Sequence, residues 1–505
     1  MVPNDTSSGL RIPGRLSGGS PVEFLLATII AFVGQFVSTI VTSRILLPEA
    51  VGIFALAMVV VRLVGMFSQF GLAAAVVQAP ELSLGAFRDA WFRNTVRATL
   101  SAAVLVALSW PIAVLVLHQD AVAPALAVLA ATIVAVALAE PPFALLRRHK
   151  QFRACASADL VSLGVVLPLL SVVFALLGFG TFSLVASAVL ANTLRVVLAV
   201  VLVRCLPRPE RRGGKHLQTF GNKVTVLGVL EYVSYNLDVL TVGRFVGAAG
   251  AGAYSRANNL ANLPGQLIGV GVSRAAGPYA SRADAATLDG IWRRLSVSVA
   301  FVALAIGSVL STLAPQVVRV VYGDQWELSI GVLHISALAA AVNFLSLTPA
   351  IILEARGILR PKLVVQVMQL TVLLLGLTLA VVLGTGLTGI ATAWLTSELT
   401  RFVAYIVVIH RRTDLPVRPV LGHYCAILAC VVLPSAATLL IRQQLPPLDP
   451  VPLLLTLGAC WLSIFLVVVH TLDPRRTYKR HVAEMFDQVI GKGLTGRSVR
   501  GALRL

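Results

Sequence analysis

Charge is scarce in this chain. Only 12% of its 505 residues are Asp, Glu, Lys or Arg, about half the share of a soluble domain, where ~25% is usual. That shortage excludes an ordinary soluble enzyme, a disordered chain and a coiled coil. Cysteine is scarce too. Cys155, Cys205, Cys425, Cys430 and Cys460 lie in or beside apolar runs and form no CxxC pair. They read as small buried hydrophobes and exclude a disulfide scaffold. The eight histidines include no i, i+4 pair, so no metal site is expected. No GxxxxGK[ST], HExxH, GxSxG or strand-borne GxGxxG is present, and no strand pattern exists to carry one. Every loop is short, which leaves no room for a large catalytic loop. The chain reads as no enzyme and as needing no cofactor. Only six of the 41 cations are lysines.

What is abundant is apolar surface. Hydrophobic residues make up 57% of the chain and mean hydropathy is +0.87. This describes an all-α polytopic membrane protein, because a lipid-exposed backbone must satisfy its own hydrogen bonds. A spanning helix needs ~20 apolar residues. The apolar runs predict fourteen spans: 22–43, 50–78, 87–117, 122–146, 154–177, 181–205, 218–245, 250–279, 290–315, 328–354, 361–384, 387–410, 419–442 and 451–471. The net charge of +19 would suggest nucleic acid in a soluble protein. Here the cations sit in short loops between apolar runs, where topology signals belong, so no nucleic-acid partner is expected.

The loops alternate in charge. Even-to-odd connections are basic: Arg147, Arg148, Lys150 and Arg153 in one, Arg204, Arg208, Arg211, Arg212 and Lys215 in another, Arg411, Arg412 and Arg418 in a third. The opposite connections, such as His118 to Pro124, Gly178 to Thr181 and Gly384 to Gly389, are nearly free of cations. The positive-inside rule then puts both termini in the cytoplasm. Residues 1–20 are polar and resemble no cleaved signal. The longest basic connection follows six spans, so the chain divides into an N-terminal cytoplasmic segment (1–21), an N-lobe (22–205), a cytoplasmic linker (206–217), a C-lobe (218–410), two further helices (419–471) and a basic cytoplasmic tail (472–505) suited to anionic membrane lipid.

An internal repeat supports two lobes. At a constant offset of 200, Arg44 matches Arg244, Gly52 matches Gly252, Phe54 faces Tyr254 and Gly71 matches Gly271. Both segments are the exit of an odd span, an outer turn and the entry of an even one. A repeated unit of six helices keeps its orientation, the architecture of two-lobed transporters with a site between lobes.

Polar groups inside spans are costly, about 2.5–3.5 kcal/mol per charge on insertion scales, and mark function. In the first span Gln35, Ser38 and Thr42 share a helical face. In the second, Arg62 and Gln69 do so. In the seventh, Glu231, Tyr235 and Asp238 recur at i, i+4, i+7. In the eighth, Arg256, Asn259 and Gln266 line up, beside Asn258 and Asn262, and Pro264 is expected to break that helix near its middle. Arg62, Arg256, Gln35, Gln69, Asn259 and Gln266 are the candidates for a polar, cationic cavity. Arg44 and Arg244 sit at the outer interface, where a guanidinium reaches water. Glu398 and Arg401, at i, i+3, form a local pair, and Glu140 beside Pro141 reads as structural.

Arg44-Ile-Leu-Leu-Pro-Glu-Ala-Val-Gly-Ile-Phe-Ala-Leu (44–56) followed by Phe67-Ser-Gln-Phe-Gly-Leu (67–72) resembles the first hairpin of polysaccharide-synthesis (Wzx-type) flippases of the multidrug/oligosaccharidyl-lipid/polysaccharide exporter superfamily. Asn236-Leu-Asp-Val-Leu-Thr-Val-Gly-Arg-Phe-Val-Gly (236–247), Gly252-Ala-Tyr-Ser-Arg-Ala (252–257) and Asn262-Leu-Pro (262–264) resemble that family's seventh and eighth helices. The resemblance implies flipping of an undecaprenyl-pyrophosphate-linked or similar polyprenyl-linked glycan across the cell inner membrane, by alternating access around a cationic cavity walled by the first, second, seventh and eighth helices. It implies a polysaccharide polymerase and glycosyltransferases as partners. With no nucleotide-binding module, transport would run on an ion gradient, the membrane potential or the substrate's own gradient. Glu231 and Asp238 are candidates for coupling H+ or Na+. Two rivals stand beside this reading. A drug/cation antiporter of the same superfamily would need an acidic pocket, which Glu231 and Asp238 could line, against the cations at Arg62 and Arg256. A membrane glycosyltransferase or ligase would need the large loop that is missing.

Overall fold

The computed structural model describes residues 21–69, 71–79, 82–209, 215–446 and 449–472. The expected cytoplasmic segment 1–21 and basic tail 472–505 lie outside the described residues except at Pro21 and Leu472, as do 210–214 of the linker. The described residues contain no strand. In order come α1 (Pro21–Ile45), α2 (Pro48–Gln69), the short α3 (Leu72–Gln78), α4 (Leu84–Pro111) running into a π-helical turn (Ile112–Leu117), and α5 (Val122–Arg148). Next, α6 (Phe152–Asp159), a second π-helical turn (Leu160–Val166) and α7 (Leu167–Leu176) follow without a break. Then come α8 (Thr181–Val203), α9 (Lys215–Phe245), α10 (Ala248–Arg282), α11 (Ala285–Thr312) and the short α12 (Ala314–Val321). The chain closes with α13 (Leu328–Leu345), α14 (Leu347–Ala355), α15 (Leu359–Val382), α16 (Gly386–Arg412), α17 (Val417–Gln444) and α18 (Pro450–Leu472).

Eleven helical stretches among the described residues are long and apolar enough to cross a membrane. They coincide with the second to sixth and the ninth to fourteenth expected spans. The first, seventh and eighth expected spans fall on α1, α9 and α10, of 25, 31 and 35 residues. The chain is an all-α, multi-pass membrane protein. One expectation is overturned: Pro264 does not break its helix, since α10 runs through it from Ala248 to Arg282. Proline removes one backbone donor, but a helix packed among others re-satisfies the freed carbonyl. Pro141, Pro142 and Pro434 are likewise absorbed inside α5 and α17. At the connection before α11, Asp284 accepts a hydrogen bond from the Thr287 backbone N–H at 3.1 Å and so caps the helix. The Thr287 donors hold its carboxyl below the usual carboxylate range.

The helices form two compact units, the first ending at Gly252 and the second beginning at Ala253. In the first, Phe87 and Trp91 of α4 pack with Phe143 of α5, Cys155 of α6 and Val203 of α8. In the second, Trp292, Phe344, Ile352, Tyr405 and Ile409 build the main core. Trp292 donates its indole N–H to the Pro416 carbonyl at 3.2 Å. A smaller cluster joins α17 to α18, where Trp461 stacks on Phe465 at 4.8 Å.

Two sets of repeated positions become visible in the fold. Gly52 of α2 and Gly252 of α10 approach each other backbone to backbone. A Cβ on Gly52 would lie 1.7 Å from the Ala248 carbonyl oxygen, and one on Gly252 would lie 1.9 Å from that of Pro48. The contact is reciprocal: each glycine's Cβ would also meet the other's backbone nitrogen, at 2.8 and 3.0 Å. A second repeat went unread in the sequence. Gly178 and Gly180 precede α8, Gly384 and Gly386 flank the start of α16, and all four have positive φ. The left-handed conformation that glycine adopts freely closes both hairpins. From Gly178, Gly180 and Arg195 to Gly384, Gly386 and Arg401 the numbering shifts by a constant 206.

Candidate functional site

In the first unit α2 packs against α9. The Tyr232 hydroxyl donates to the Val59 carbonyl at 3.2 Å, and Gly243 admits the Leu56 side chain. These contacts set the register. Arg62 lies three residues beyond Val59 and Glu231 one before Tyr232, so both sit within a turn of the same contact. Both side chains are exposed, and the Arg62 charge is within electrostatic reach of the Tyr232 hydroxyl. Asp238, two turns along α9, is buried and its Oδ1 accepts from the Val239 N–H at 2.8 Å. The expected Glu231–Tyr235–Asp238 face is therefore split: Glu231 and Tyr235 point out of the unit and Asp238 points in.

The face of α1 is split in the same way. Gln35 is exposed. Ser38 and Thr42 are buried, with Ser38 donating to the Pro168 carbonyl at 3.1 Å and Thr42 to the Ser38 carbonyl at 2.7 Å. The Ser38 hydroxyl seats α1 against α7, the Thr42 hydroxyl bonds back onto its own helix, and the Gln35 amide faces away. The side chain of Gln69 lies outside the described residues. Arg244 donates through Nη1 to the Leu115 and Val116 carbonyls at 3.2 and 2.6 Å. It thereby satisfies carbonyls that the π-helical turn after α4 leaves open.

In the second unit Arg256 is buried. Its guanidinium carbon lies 5.8 Å from the Trp326 ring centroid, within cation–π range. Trp326 in turn packs on Tyr322 at 5.9 Å, and the Tyr322 hydroxyl donates to the Arg256 carbonyl at 3.3 Å. This aromatic clamp was not legible in the sequence, because Tyr322 and Trp326 follow α12 in what reads as a loop. Asn258 accepts from the Ser336 hydroxyl at 2.6 Å. Asn259 and Gln266, i and i+7 on α10, are exposed on one face. Arg62 and Arg256 are thus not equivalent: one guanidinium is presented to the surroundings and the other is seated in its own unit.

Two arginine-centred ties complete the polar interior. Arg195 of α8 bridges Glu140 of α5 and Asp159 of α6, each at 2.8 Å, and Glu140 also takes Arg147 at 2.9 Å. In the second unit Glu398 takes Arg401 at 2.5 Å, Gln369 at 2.9 Å and the Trp394 indole at 3.2 Å. Arg401 also reaches the Asn343 side-chain oxygen at 2.8 Å. The expected Glu398–Arg401 pair is present. The partnership of Asp159 was missed; the signal available was that Glu140, Asp159 and Arg195 lie at similar distances from the basic ends of their helices.

The fold has solved counterparts. The chain matches the solved lipid II flippase MurJ in an inward closed conformation, with a TM-score of 0.73 at 12% identity, over 90% of this chain and 99% of that one. An inward-facing multidrug resistance MATE family transporter of the MOP superfamily shares the fold, with a TM-score of 0.53 at 15% identity over 79% of this chain and 96% of that one. The chain belongs to the polysaccharide biosynthesis protein family, whose model matches residues 41–331, more than half its length. Both segments that resemble Wzx-type flippases lie inside that match. Curated relatives include the succinoglycan biosynthesis transport protein ExoT of Rhizobium meliloti (strain 1021), 28% identical over 46% of this chain and 47% of that protein. The lipopolysaccharide biosynthesis protein WzxC of Escherichia coli (strain K12) is 23% identical over 61% of this chain and 64% of that one. The chain thus spans about half the length of the first relative and under two thirds of the second.

Proposed function

We propose that this protein flips a polyprenyl-pyrophosphate-linked oligosaccharide from the inner to the outer leaflet of the cytoplasmic membrane, for polysaccharide synthesis and export. The observation that carries the reading is an exposed guanidinium, Arg62, on an apolar spanning helix of a polysaccharide biosynthesis family member. An intramembrane charge left outside its own unit needs a counter-ion, and a pyrophosphate supplies one in the planar, bidentate geometry that arginine prefers. Gln35, Asn259 and Gln266 are exposed amides suited to sugar hydroxyls, and Arg256 holds α10 through Trp326. The lipid tail stays in the bilayer while alternating access moves the head group. A polymerase and glycosyltransferases supply and consume the substrate. The test is movement of such a lipid across vesicles containing only the purified protein.

The topology has its own test. Reporter fusions at Gly213 and at Gly386 are expected to show cytoplasmic and outer locations respectively, with both termini cytoplasmic. The same location for both would contradict fourteen spans.

Glu231 and Asp238 are the α9 carboxylates open to coupling H+ or Na+. If either exchanges the coupling ion, transport by Glu231→Gln or Asp238→Asn in vesicles loses its dependence on an imposed proton or sodium gradient. Unchanged dependence in both would leave them as structural hydrogen-bonding groups.

A further inference from the structure

Three ionisable groups of α4 stand in register. Asp89, Arg93 and Arg97 recur at i, i+4, i+8 and so lie on one side of the helix. The Asp89 carboxylate is buried and takes Arg93 at 2.9 Å, while the Arg93 side chain is 41% exposed. Arg97 is half-buried, and the Arg93 guanidinium lies within electrostatic reach of it. Two guanidiniums against one carboxylate leave an excess of one positive charge. Like charges one turn apart repel, and more strongly where water is partly excluded. A shared anion turns that repulsion into attraction. Other basic groups at this end of the unit are committed to the protein. Arg88 donates to the Leu206 carbonyl at 3.2 Å, Arg147 to Glu140 at 2.9 Å, and Arg148 to the Val76 and Ala79 carbonyls.

The same side of α4 continues as apolar surface. Leu100, Val104 and Leu108 follow Arg93 and Arg97 at helical spacing and are all exposed. The opposite side, with Trp91, Ala98 and Leu105, is buried in the unit, and Asn94 donates there to the Ala137 carbonyl at 3.4 Å. The helix therefore presents a strip that is cationic at one end and apolar beyond it. From Ala98 to Leu117 no side chain ionises, a stretch of ~20 residues that suffices to span the hydrocarbon core. Arg93 and Arg97 precede that stretch, and helical side chains lean toward the N-terminus. On the fourteen-span topology this end is cytoplasmic. The two guanidiniums then reach the level of the inner-leaflet phosphates.

We propose that Arg93 and Arg97 bind the phosphodiester of an anionic phospholipid of the cytoplasmic leaflet, whose acyl chains lie along Leu100, Val104 and Leu108. One excess positive charge complements a headgroup that carries a single phosphate and no cation of its own, as in phosphatidylglycerol. The choline of phosphatidylcholine would bring a further positive charge to the pair, and a pyrophosphate would bring negative charge that the strip does not match. The phosphate oxygens accept charge-assisted hydrogen bonds from both guanidiniums, in the forked geometry arginine favours. Basic pockets beside spanning helices recognise anionic headgroups in this way. The lipid site is on α4, apart from Arg62 on α2, and does not depend on what the protein transports.

Titration of the purified full-length protein in detergent with phosphatidylglycerol tests this, read as a rise in thermal midpoint and as lipid retained in native mass spectra. Phosphatidylcholine and inorganic phosphate are titrated in parallel. Phosphatidylglycerol is expected to bind and raise the midpoint, and the other two to do so weakly or not at all. Arg97→Gln is expected to weaken phosphatidylglycerol binding about tenfold, and Arg97→Lys and Leu100→Ser to weaken it less. Arg411→Gln, at an exposed arginine that ends α16, is expected to bind as the wild type does. Equal effects of phosphatidylglycerol and phosphatidylcholine would overturn the proposal, as would a matching effect of inorganic phosphate, which would mark a free-anion site. So would wild-type affinity in Arg97→Gln, or a loss in Arg411→Gln as large as that in Arg97→Gln, which would mark a diffuse attraction to basic loops. Should Arg97→Gln fail to fold, wild-type affinity in both Arg97→Lys and Leu100→Ser overturns it.

Discussion

Replacing Gly52 or Gly252 by alanine is expected to abolish or severely reduce transport and to lower the thermal midpoint of the detergent-solubilised protein. The added Cβ would lie 1.7 Å from the Ala248 carbonyl oxygen in one case and 1.9 Å from that of Pro48 in the other. Both obstacles are backbone, so no side chain can rotate away, and the helices must separate. Overpacking of this kind costs about 1–3 kcal/mol. Gly265→Ala is the control: a Cβ there meets nothing within 4 Å, and alanine is the better helix former by roughly 0.5–1 kcal/mol. Transport and thermal midpoint near wild type in Gly52→Ala and Gly252→Ala would mean that the close crossing is not required.

Arg62→Ala is expected to lose most transport at normal abundance, and Arg62→Lys to lose less. Hydrogen bonds to charged groups are worth about 1.5–3 kcal/mol. At 1.4 kcal/mol per decade that is a loss on the order of tenfold to a hundredfold. Lysine keeps the charge without the planar fork. Arg256→Ala should behave differently. It empties a buried position against Trp326, where a desolvated cation–π contact is worth about 2 kcal/mol, so membrane abundance and thermal midpoint should fall along with activity. Quantifying protein beside transport separates the two: normal export by Arg62→Ala at normal abundance would move the phosphate contact elsewhere.

Much of this was legible in residues alone. Apolar runs of spanning length, the basic even-to-odd loops and the 200-residue repeat led to the helical architecture and to Gly52 and Gly252. Side-chain direction was less legible. Gln35, Ser38 and Thr42 share a helical stripe, yet Ser38 and Thr42 are buried and Gln35 is exposed, which helical periodicity cannot tell apart in a chain with apolar surroundings on both sides. The same ambiguity split Glu231 from Asp238. Pro264 misled because the rule that proline breaks helices assumes an isolated helix. The partnership of Asp159 was hidden because Arg195 lies 36 residues further on, in another helix, beyond any helical spacing. Tyr322 and Trp326 were hidden because a buried aromatic in a turn carries no periodic signal.

The central claim is that this chain alone moves a lipid-linked glycan. Purified protein in vesicles loaded on one leaflet with a polyprenyl-pyrophosphate oligosaccharide tests it most directly, with a membrane-impermeant glycan-cleaving enzyme reporting the opposite leaflet. The account predicts that glycan becomes accessible with wild-type protein, more slowly by at least an order of magnitude with Arg62→Ala, and not in protein-free vesicles. Glycan that stays inaccessible with folded wild-type protein under proton gradient, sodium gradient and membrane potential alike would contradict it.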